Sequence, residues 1–578
     1  MRRRTQILVL LVLVGISTHL YFTQSFSLPA GTWRDEHNAF DLSSDELEVG
    51  ILLYANDCFS EPQKVPLDTG MSNDHILSTR PSLPADAEKR DAVVNAFKYA
   101  WSAYERDAMG ADEYHPISHR GANLSFYGGI GYTVVDAIDT MILMGLDSEY
   151  AHAKNWIQEH LTFNRSGYFS TFETTIRVLG GLLSAYHLTG DDLYKRHAAD
   201  LGDRILPAFD TPSGLPGSSV NLGAGMAMRS GASVAEATTL QLEFRYLAEI
   251  TGRVAFWHKA EKVMQVVNKA RLPNGLAPID MSADGTFLRS GIRLGSGGDS
   301  YYEYLLKQYL QTNRTEPVYL QMYSDAMQGV HDHLIYKTPR DHLTYIAELL
   351  PLSKSDWKNS WVSQPKQEHL ICFMAGSLML GATTSHRRDF NKAVSVPPRM
   401  EELTAVGQRD WKTGVAFLET CMDTHKTATG LSPEGLNFRT AKDPPGERDW
   451  YIKNANPKSP PYDARYMLRP EISESVFLAW RMTGDSRYRK YAWHIFSAIE
   501  RHCRLAEGGY ATVADVDNLP VSYVDKQETF FLSETLKYLF LTFADENVLD
   551  LSEVVFNTEA HPLPIFKPSI KPLFTKYS

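Results

Sequence analysis

Residues 183–198 read LSAYHLTGDDLYKRHA, in which an apolar helix-forming segment runs into a Thr-Gly pair and a second helix-forming segment follows. The arrangement returns in FRYLAEITGRVAFWHKA (244–260) and FLAWRMTGDSRYRKYA (477–492), and LLKQYLQTNRTEPVYLQMY (305–323) is a copy with the glycine replaced. A glycine at this point can end a helix in a left-handed cap. The first three copies along the chain lie about 62 residues apart, enough for two helices and their connections. The repeat therefore predicts a solenoid of helix pairs or an α/α barrel closed on itself.

An acidic residue stands at the head of each of seven mostly apolar segments. These acids are Asp136, Glu173, Glu236, Asp299, Glu368, Glu471 and Glu528. For any single helix the simplest explanation is capping, because an acid in the first turn complements the helix dipole by about 0.3–1 kcal/mol.

A second polar residue on the same helix stripe often accompanies the first. The pairs are Asp136 with Asp139, Glu173 with Arg177, Glu236 with Glu243, Asp299 with Glu303, and Glu471 with Glu474. The segments are too hydrophobic for surface helices, and unpaired buried carboxylates are prohibitively unfavourable. The pattern thus predicts a water-filled, acid-lined funnel inside seven inner helices, each backed by an outer one. We expect an all-α fold, an (α/α)7 barrel formed by residues 86–578.

The N-terminus predicts entry into the secretory pathway. Arg2, Arg3 and Arg4 precede the apolar run 7–16, which continues to position 22. We interpret residues 1–22 as a cytosolic tail with a type II signal-anchor, although a cleaved signal peptide is the alternative, which would make the protein secreted. Residues 23–85 are proline-containing and weakly patterned, as in a stem or linker. The catalytic part would lie in the lumen of the endoplasmic reticulum or the Golgi.

Composition and modification motifs agree with that compartment. The sequons at Asn123, Asn164 and Asn313 are candidate glycosylation sites. With four cysteines the chain is not a disulfide scaffold, but an oxidising lumen would permit one or two bridges. A net charge of -11, without a basic stripe, argues against nucleic acid as a partner.

An acidic funnel suits one chemistry in particular. Glycoside hydrolysis uses a general acid and a general base, and in its inverting form the two carboxyl groups stand about 6.5–9.5 Å apart around a water molecule. Several like charges in one cavity raise some pKa values, so one carboxyl can stay protonated near neutral pH. The same oxygens suit a hard cation such as calcium. Since HExxH, CxxC and EF-hand patterns are absent from the sequence, zinc chemistry is disfavoured.

Five motifs carry a family resemblance. They are FETTIRVLGGLLSAYHL (172–188), GDSYYEYLLKQ (298–308), LRPEISES (468–475), DKQETFFLSETLKY (525–538) and FNTEAHPLP (556–564). Together, in this order, they resemble the class I α-1,2-mannosidases of glycoside hydrolase family 47 from about residue 90 to the C-terminus. The resemblance implies an inverting, calcium-dependent exo-hydrolase, a monomer, that removes α-1,2-linked mannose from high-mannose N-glycans.

The resemblance also implies the catalytic residues. Glu173 would be a proton donor, Asp299 and Glu471 further catalytic acids, with Glu471 the favoured base, and Glu434 in LSPEG (431–435) a fourth catalytic carboxylate. Which of them is the acid and which the base stays open. Arg177 would clamp substrate or a carboxylate.

Further roles follow from the same resemblance. Substrate contacts are expected from a set lining the funnel: Asp136, Arg177, Glu236, Glu243, Gly297 and Glu303. Thr558 matches the calcium ligand, and the rest of the coordination would be water held by acids: Glu236, Glu303, Glu474, Glu534 and Glu559. Cys372 and Cys421 match the family's disulfide pair, whereas Cys503 is expected to be a buried free thiol.

Two alternatives remain. Some relatives act in glycoprotein quality control and endoplasmic-reticulum-associated degradation, where glycan recognition matters as much as turnover; the complete set of carboxylates favours a hydrolase. An unrelated α/α barrel, such as a polysaccharide-processing enzyme or a terpenoid cyclase, is the other, but no DDxxD motif begins a suitable helix.

One position departs from part of the family. Two residues before the catalytic Asp299, the endoplasmic-reticulum type usually has arginine, which restricts cleavage to one branch, whereas this chain has Gly297. A missing long, charged side chain leaves space and removes hydrogen-bond donors. We therefore expect a more permissive enzyme that removes several mannoses.

Overall fold

A computed structural model describes residues 82–228, 230–352 and 360–575. The predicted anchor, and the predicted stem up to residue 81, lie outside these ranges. Within them, no helix is both long and apolar enough to cross a membrane.

Seven helices of the described chain form an inner ring. In chain order they are Tyr132–Met144, Gly180–Thr189, Gln241–Thr251, Asp299–Gln311, Phe373–Thr384, Glu471–Thr483 and Leu536–Phe543. Each contacts the next, and the π-helical turn Phe531–Thr535 that leads into the last one contacts the first. Contacts between neighbours therefore close the ring.

A second helix backs each member of this ring. The outer helices are Ala87–Ala108, Asp147–His160, Asp192–Ile205, Val254–Lys269, Pro317–His333, Ala405–Asp423 and Ser486–His502. The first packs on the last inner helix, and every other outer helix packs on the inner helix that precedes it. This is the α/α barrel that the repeat predicts.

Glycine caps explain how the pairs turn. Gly190, Gly252 and Gly484 end inner helices with φ of 70°, 68° and 66°, the left-handed conformation that glycine adopts without strain. In the copy without glycine, Asn313 and Arg314 take the left-handed conformation instead, with φ of 51° and 63°.

Short strands lie in the segments that connect the helices, and the all-α prediction misses them. The antiparallel groups are Glu113–His115 with Arg120–Ala122; Tyr168–Ser170 with Ser219–Asn221 and Met226–Ala227; Ala232–Ser233 with Asp280–Met281; Ile335–Lys337 with Thr344–Ile346; Glu348–Pro351 with Trp361–Gln364; Lys366–Glu368 with Gly435–Phe438 and Trp450–Tyr451; Thr512–Val513 with Tyr523–Val524; and Val554–Phe556 with Pro562–Pro564. At two to four residues each, these strands are too short to show an alternating pattern in the sequence.

Packing in the barrel explains the long apolar segments. The inner helix Asp299–Gln311 buries twelve of its thirteen residues, from Ser300 to Gln311. A helix that is buried on all sides has no polar face, which is why its few acids stand out in the sequence.

Candidate active site

A cleft of about 600 Å³ opens where the inner helices begin. Asp299 and Glu471 are the first residues of their helices, and Glu173 ends the short helix Thr171–Glu173. The acids that line the cleft are Glu173, Glu236, Asp280, Asp299, Glu303, Glu471, Glu474, Glu528, Glu534 and Glu559. The predicted acidic funnel is therefore present.

The hairpin of strands Val554–Phe556 and Pro562–Pro564 forms the floor of the cleft. It contacts the inner helices Gly180–Thr189, Gln241–Thr251 and Asp299–Gln311. At its tip Thr558 lines the cleft, and its Oγ1 donates a hydrogen bond of 2.8 Å to Oε2 of Glu303.

Glu173 and Arg177 form one wall. Arg177 Nε donates to Glu173 Oε2 at 2.9 Å, and its Nη1 donates to Glu559 Oε2 at 2.8 Å. The hydroxyl of Tyr132 donates to the same Glu173 oxygen at 3.2 Å. These hydrogen bonds hold the Glu173 side chain in place. Because the side chain stays 37% exposed, it is also open to a bound molecule.

Asp299 and Glu471 carry unusual pKa values. Burial raises the pKa of Asp299 to about 7, and the charges of Glu303, Glu368 and Glu471 act in the same direction. Burial likewise raises the pKa of Glu471 to about 7, although the charge of Arg469 opposes it. Carboxyl groups tuned to neutral pH are suited to proton transfer.

Arg469 connects Glu434 to Glu471. Its Nε donates to both Glu434 oxygens, at 2.9 and 2.7 Å, and its Nη2 donates to Oε1 at 2.6 Å. Its Nη1 lies 3.5 Å from Oε1 of Glu471. Glu434 is 7% exposed and stands behind the arginine rather than in the cleft lining. As placed, Glu434 influences Glu471 through Arg469.

Buried acids crowd the bottom of the cleft. Burial raises the pKa of Glu474 to about 8 and that of Glu559 to about 8, and it raises the pKa of Glu534 well above its ordinary range. Lys307 pairs with Glu303 and lies 3.7 Å from Glu474, so one ammonium group serves two carboxylates. The negative charge at the floor is incompletely balanced.

Two acids expected to contact substrate lie below the cleft instead. Asp136 is fully buried and pairs with His561 Nε2 at 3.1 Å and Ser533 Oγ at 3.0 Å. Glu243, also fully buried, accepts hydrogen bonds from Tyr304 at 2.7 Å and Asn557 at 2.8 Å. As placed, both brace the floor and reach a ligand only through their neighbours.

The remaining expected positions lie at the cleft. Glu236 lines the cleft, but its carboxylate accepts a hydrogen bond from the backbone N–H of Ser233 at 2.7 Å in a capping box. Helix capping is therefore a role of this acid, as expected for an acid in the first turn of a helix. Gly297 lines the cleft too, in the left-handed conformation with φ of 83°. Asp136, by contrast, is not the head of its helix, which begins four residues earlier at Tyr132.

Sequence reasoning missed several members of the site. His561 lies between Asp136 and Asp139; burial alone would lower its pKa, but the two carboxylates raise it to about 9. Lys537, fully buried, pairs with Asp139 at 2.8 Å. Lys537 lies in DKQETFFLSETLKY and His561 in FNTEAHPLP, so the signal in the sequence was that both stand close to expected site residues. Arg293, in the loop before Asp299, also lines the cleft and carries no motif of its own.

The cysteine predictions are confirmed. Cys372 and Cys421 form a disulfide that joins the start of an inner helix to the end of an outer one. Cys503 is a buried free thiol, and Cys58 lies outside the described residues.

The asparagines of all three sequons, Asn123, Asn164 and Asn313, are exposed. The Oδ1 atom of Asn123 also accepts a hydrogen bond from the N–H of Asp112 at 3.3 Å. Glycosylation at these positions stays a prediction.

The donor set at the floor fits a hard cation. The described ranges contain no group of three or more His, Cys, Asp and Glu side chains arranged to hold a metal ion directly. The Thr558 hydroxyl, however, faces Glu303, and the raised pKa values of Glu474 and Glu559 mark an excess of carboxylate oxygen. Oxygen donors with unbalanced negative charge are what calcium prefers, and water can complete its coordination.

A ring of helix pairs around an acid-lined cleft defines a carbohydrate-hydrolase type of site, and the comparisons give the family. The family model "Glycosyl hydrolase family 47" matches residues 96–565. The chain belongs to this family.

Curated relatives and a solved structure agree. A mannosyl-oligosaccharide 1,2-alpha-mannosidase of Candida albicans is 40% identical over 499 residues, covering 83% of this chain and 84% of the relative. The human endoplasmic reticulum mannosyl-oligosaccharide 1,2-alpha-mannosidase is also 40% identical, over 83% of this chain and 64% of the relative. The structure of an alpha-1,2-mannosidase from Trichoderma reesei superposes with a TM-score of 0.71 at 28% identity, covering 83% of this chain and 100% of that one.

Proposed function

We propose that this protein is an exo-hydrolase that removes terminal α-1,2-linked mannose from high-mannose N-glycans of glycoproteins. The observation that carries the proposal is the cleft itself, where Asp299 and Glu471, the first residues of two inner helices, both have pKa values of about 7 and Glu173 lines the same cleft. Relatives at 40% identity that bear the mannosidase name supply the substrate class.

The residues divide the work by environment. Glu471 is the base that takes a proton from the attacking water, because a carboxylate with a pKa near 7 is both ionised and basic at neutral pH. Glu173, held by Arg177 and open to the cleft, donates a proton to the leaving oxygen. Asp299, partly protonated at neutral pH, is the second candidate donor. We further propose that the reaction inverts the anomeric configuration, in which case the base and the donor act on opposite faces of the sugar.

The same proposal includes calcium at the cleft floor. Thr558 would hold the ion through its oxygens, with water fixed by surrounding acids such as Glu303, Glu474, Glu534 and Glu559. When bound, the ion would balance the crowded carboxylates and present oxygen-binding positions to the sugar.

The cleft also bears on substrate range. Gly297 contributes no side chain, so we propose that several mannoses can be removed. The relatives' names favour processing in the secretory pathway, and we propose a lumenal catalytic part, anchored through the N-terminus, that acts as a monomer. The quality-control lectin alternative is not favoured, because the carboxylates that the hydrolytic reaction requires are assembled.

Replacing the base tests the proposal. Glu471→Gln keeps the shape of the side chain and removes its basicity, so mannose release should fall by about 10²–10⁴. Binding of a mannobiose ligand, measured by calorimetry, should persist. A matched control is Glu419→Gln on the outer helix Ala405–Asp423, which should stay active. Full activity in Glu471→Gln would remove this residue from the mechanism.

A further inference from the structure

The loop that enters Asp299 is held rigidly at the mouth of the cleft. The N–H of Ser296 donates to Glu368 Oε2 at 2.7 Å, and the carbonyl of Gly297 accepts from the N–H of Ala235 at 3.1 Å. These bonds tie the loop to two neighbouring segments. A side chain carried by this loop is therefore presented to the cleft in a defined position.

Glycines shape the loop around one arginine. A Cβ at Gly298 would lie 2.2 Å from the carbonyl oxygen of Arg293, so only glycine allows this close approach. A Cβ at Gly297 would instead meet its nearest neighbour, Ser233 Cβ, at 3.5 Å, which is ordinary contact. The space beside Gly297 is thus left open on the cleft side, and Arg293 lines the same cleft.

The guanidinium of Arg293 is anchored at one end and available at the other. Its Nε donates to the carbonyl of Ser296 at 2.8 Å, which orients the planar group. Its Nη1 and Nη2 form no hydrogen bond or ion pair with other residues of the described chain, and the side chain is half-buried. Arg177 and Arg469, the other arginines that line the cleft, are each engaged with carboxylates. The charge of Arg293 acts on the buried Glu348, but Arg293 is the cleft arginine whose Nη groups form no hydrogen bond with a carboxylate of the described chain.

Its position is at the mouth rather than at the reacting carboxylates. Ser296, to which it is anchored, is exposed, whereas Glu474, Glu534 and Glu559 at the floor are buried. A group at the mouth meets the part of a branched glycan that stays outside when a terminal sugar enters. Two parallel N–H donors on a fixed plane match neighbouring hydroxyl groups of a sugar.

We propose that Arg293 is a specificity-determining residue whose Nη groups bind hydroxyls of mannose residues beyond the two sugars of the cleaved linkage. The proposal rests on the proposed function and deepens it. Arg293 favours those branches that bring a further mannose against the mouth, and so sets the order in which mannoses leave. Gly297 leaves the room in which this contact forms.

The experiment compares two substrates. Wild type, Arg293→Ala and Arg293→Lys are assayed on α-1,2-mannobiose, which has no sugars beyond the cleaved linkage, and on a nine-mannose N-glycan with its products resolved in time. Arg293→Ala should raise KM for the glycan about 10-fold, the usual effect of losing charged hydrogen bonds, and level the rates of the branches. Its kinetics on mannobiose should stay within about 2-fold of wild type. Arg293→Lys keeps the charge without the planar fork and should recover part of the preference.

A matched control and the outcomes complete the test. Arg289, whose Nη2 donates to the carbonyl of Pro351 at 3.2 Å, does not line the cleft, and Arg289→Ala should match wild type on both substrates. Unchanged KM and unchanged order of release in Arg293→Ala would overturn the proposal, and so would equal losses on both substrates. A wild-type protein that releases mannose from neither substrate would instead refute the proposed function.

Discussion

Arg469 and Glu434 should move the pH profile of the enzyme in opposite directions. The charge of Arg469 lowers the pKa of Glu471, whereas that of Glu434 raises it. If Glu471 must be ionised to act as the base, kcat/KM falls about tenfold per pH unit below its pKa of about 7. Arg469→Met should move this acidic limb to higher pH, and Glu434→Gln should move it to lower pH.

The structure sets the size of the effect. Two unit charges 3.5 Å apart, the distance from Arg469 Nη1 to Glu471 Oε1, interact by about 5 kcal/mol at an effective dielectric constant of about 20. Glu434 already neutralises much of this charge through its bonds to Nε and Nη2. We therefore expect Arg469→Met to raise the apparent pKa of the acidic limb by about 1 to 2 pH units. The effect of Glu434→Gln should be smaller, because its charge lies behind the arginine.

The assay is mannose release over a range of pH, and the shape of the profile is the readout. Arg469 lines the cleft, so its loss also changes KM and the height of the curve. Arg469→Met leaves the buried carboxylate of Glu434 unpaired, which destabilises the fold by about 3–5 kcal/mol. The double variant Arg469→Met/Glu434→Gln removes both charges and avoids this penalty. Thermal unfolding should show this difference. Limbs that move in the same direction, or do not move, would refute the coupling of these residues to the base.

Three further outcomes are expected. Chelation should abolish mannose release and added calcium should restore it, and Thr558→Val should weaken this rescue and the thermal stabilisation by calcium; an enzyme indifferent to chelator would exclude the ion from the site. Replacing Cys372 and Cys421 together by alanine should lower the free energy of unfolding by about 4 kcal/mol, since the bridge closes a loop with a sequence separation of 49 residues; unchanged denaturant midpoints would contradict this. Burial lowers the pKa of His425 to about 3 from 6.5, so its contribution to stability is complete above pH 6.5 and is lost as pH falls towards 3, by up to about 5 kcal/mol; His425→Gln should make acid unfolding less steep, and an equally steep curve would count against it.

The sequence predicts the ring of helices because its signals are local. Gly190, Gly252 and Gly484 mark helix ends by a conformation that few other residues adopt, and the acids Asp299 and Glu471 mark helix starts. Each signal needs only a few neighbouring residues. The number of helix pairs was predicted from seven acids, of which only Asp299 and Glu471 begin an inner helix.

The sequence could not predict contacts between segments that lie far apart along the chain. Asp136 and Glu243 carry the same acidic signal as Asp299, yet residues of the hairpin tip, His561 and Asn557, hold them below the cleft. That packing depends on a segment more than three hundred residues away along the chain. Arg293 was missed for a related reason, because its availability depends on what fails to reach it in space.

The decisive measurement is cleavage of a high-mannose N-glycan by the purified catalytic part, with calcium present and the released sugar followed by proton NMR. We expect several mannoses to be released, each appearing first as the β-anomer, because the base at Glu471 activates water on the face opposite the leaving group. Release of the α-anomer, or no release by a folded protein that binds the glycan, would contradict it.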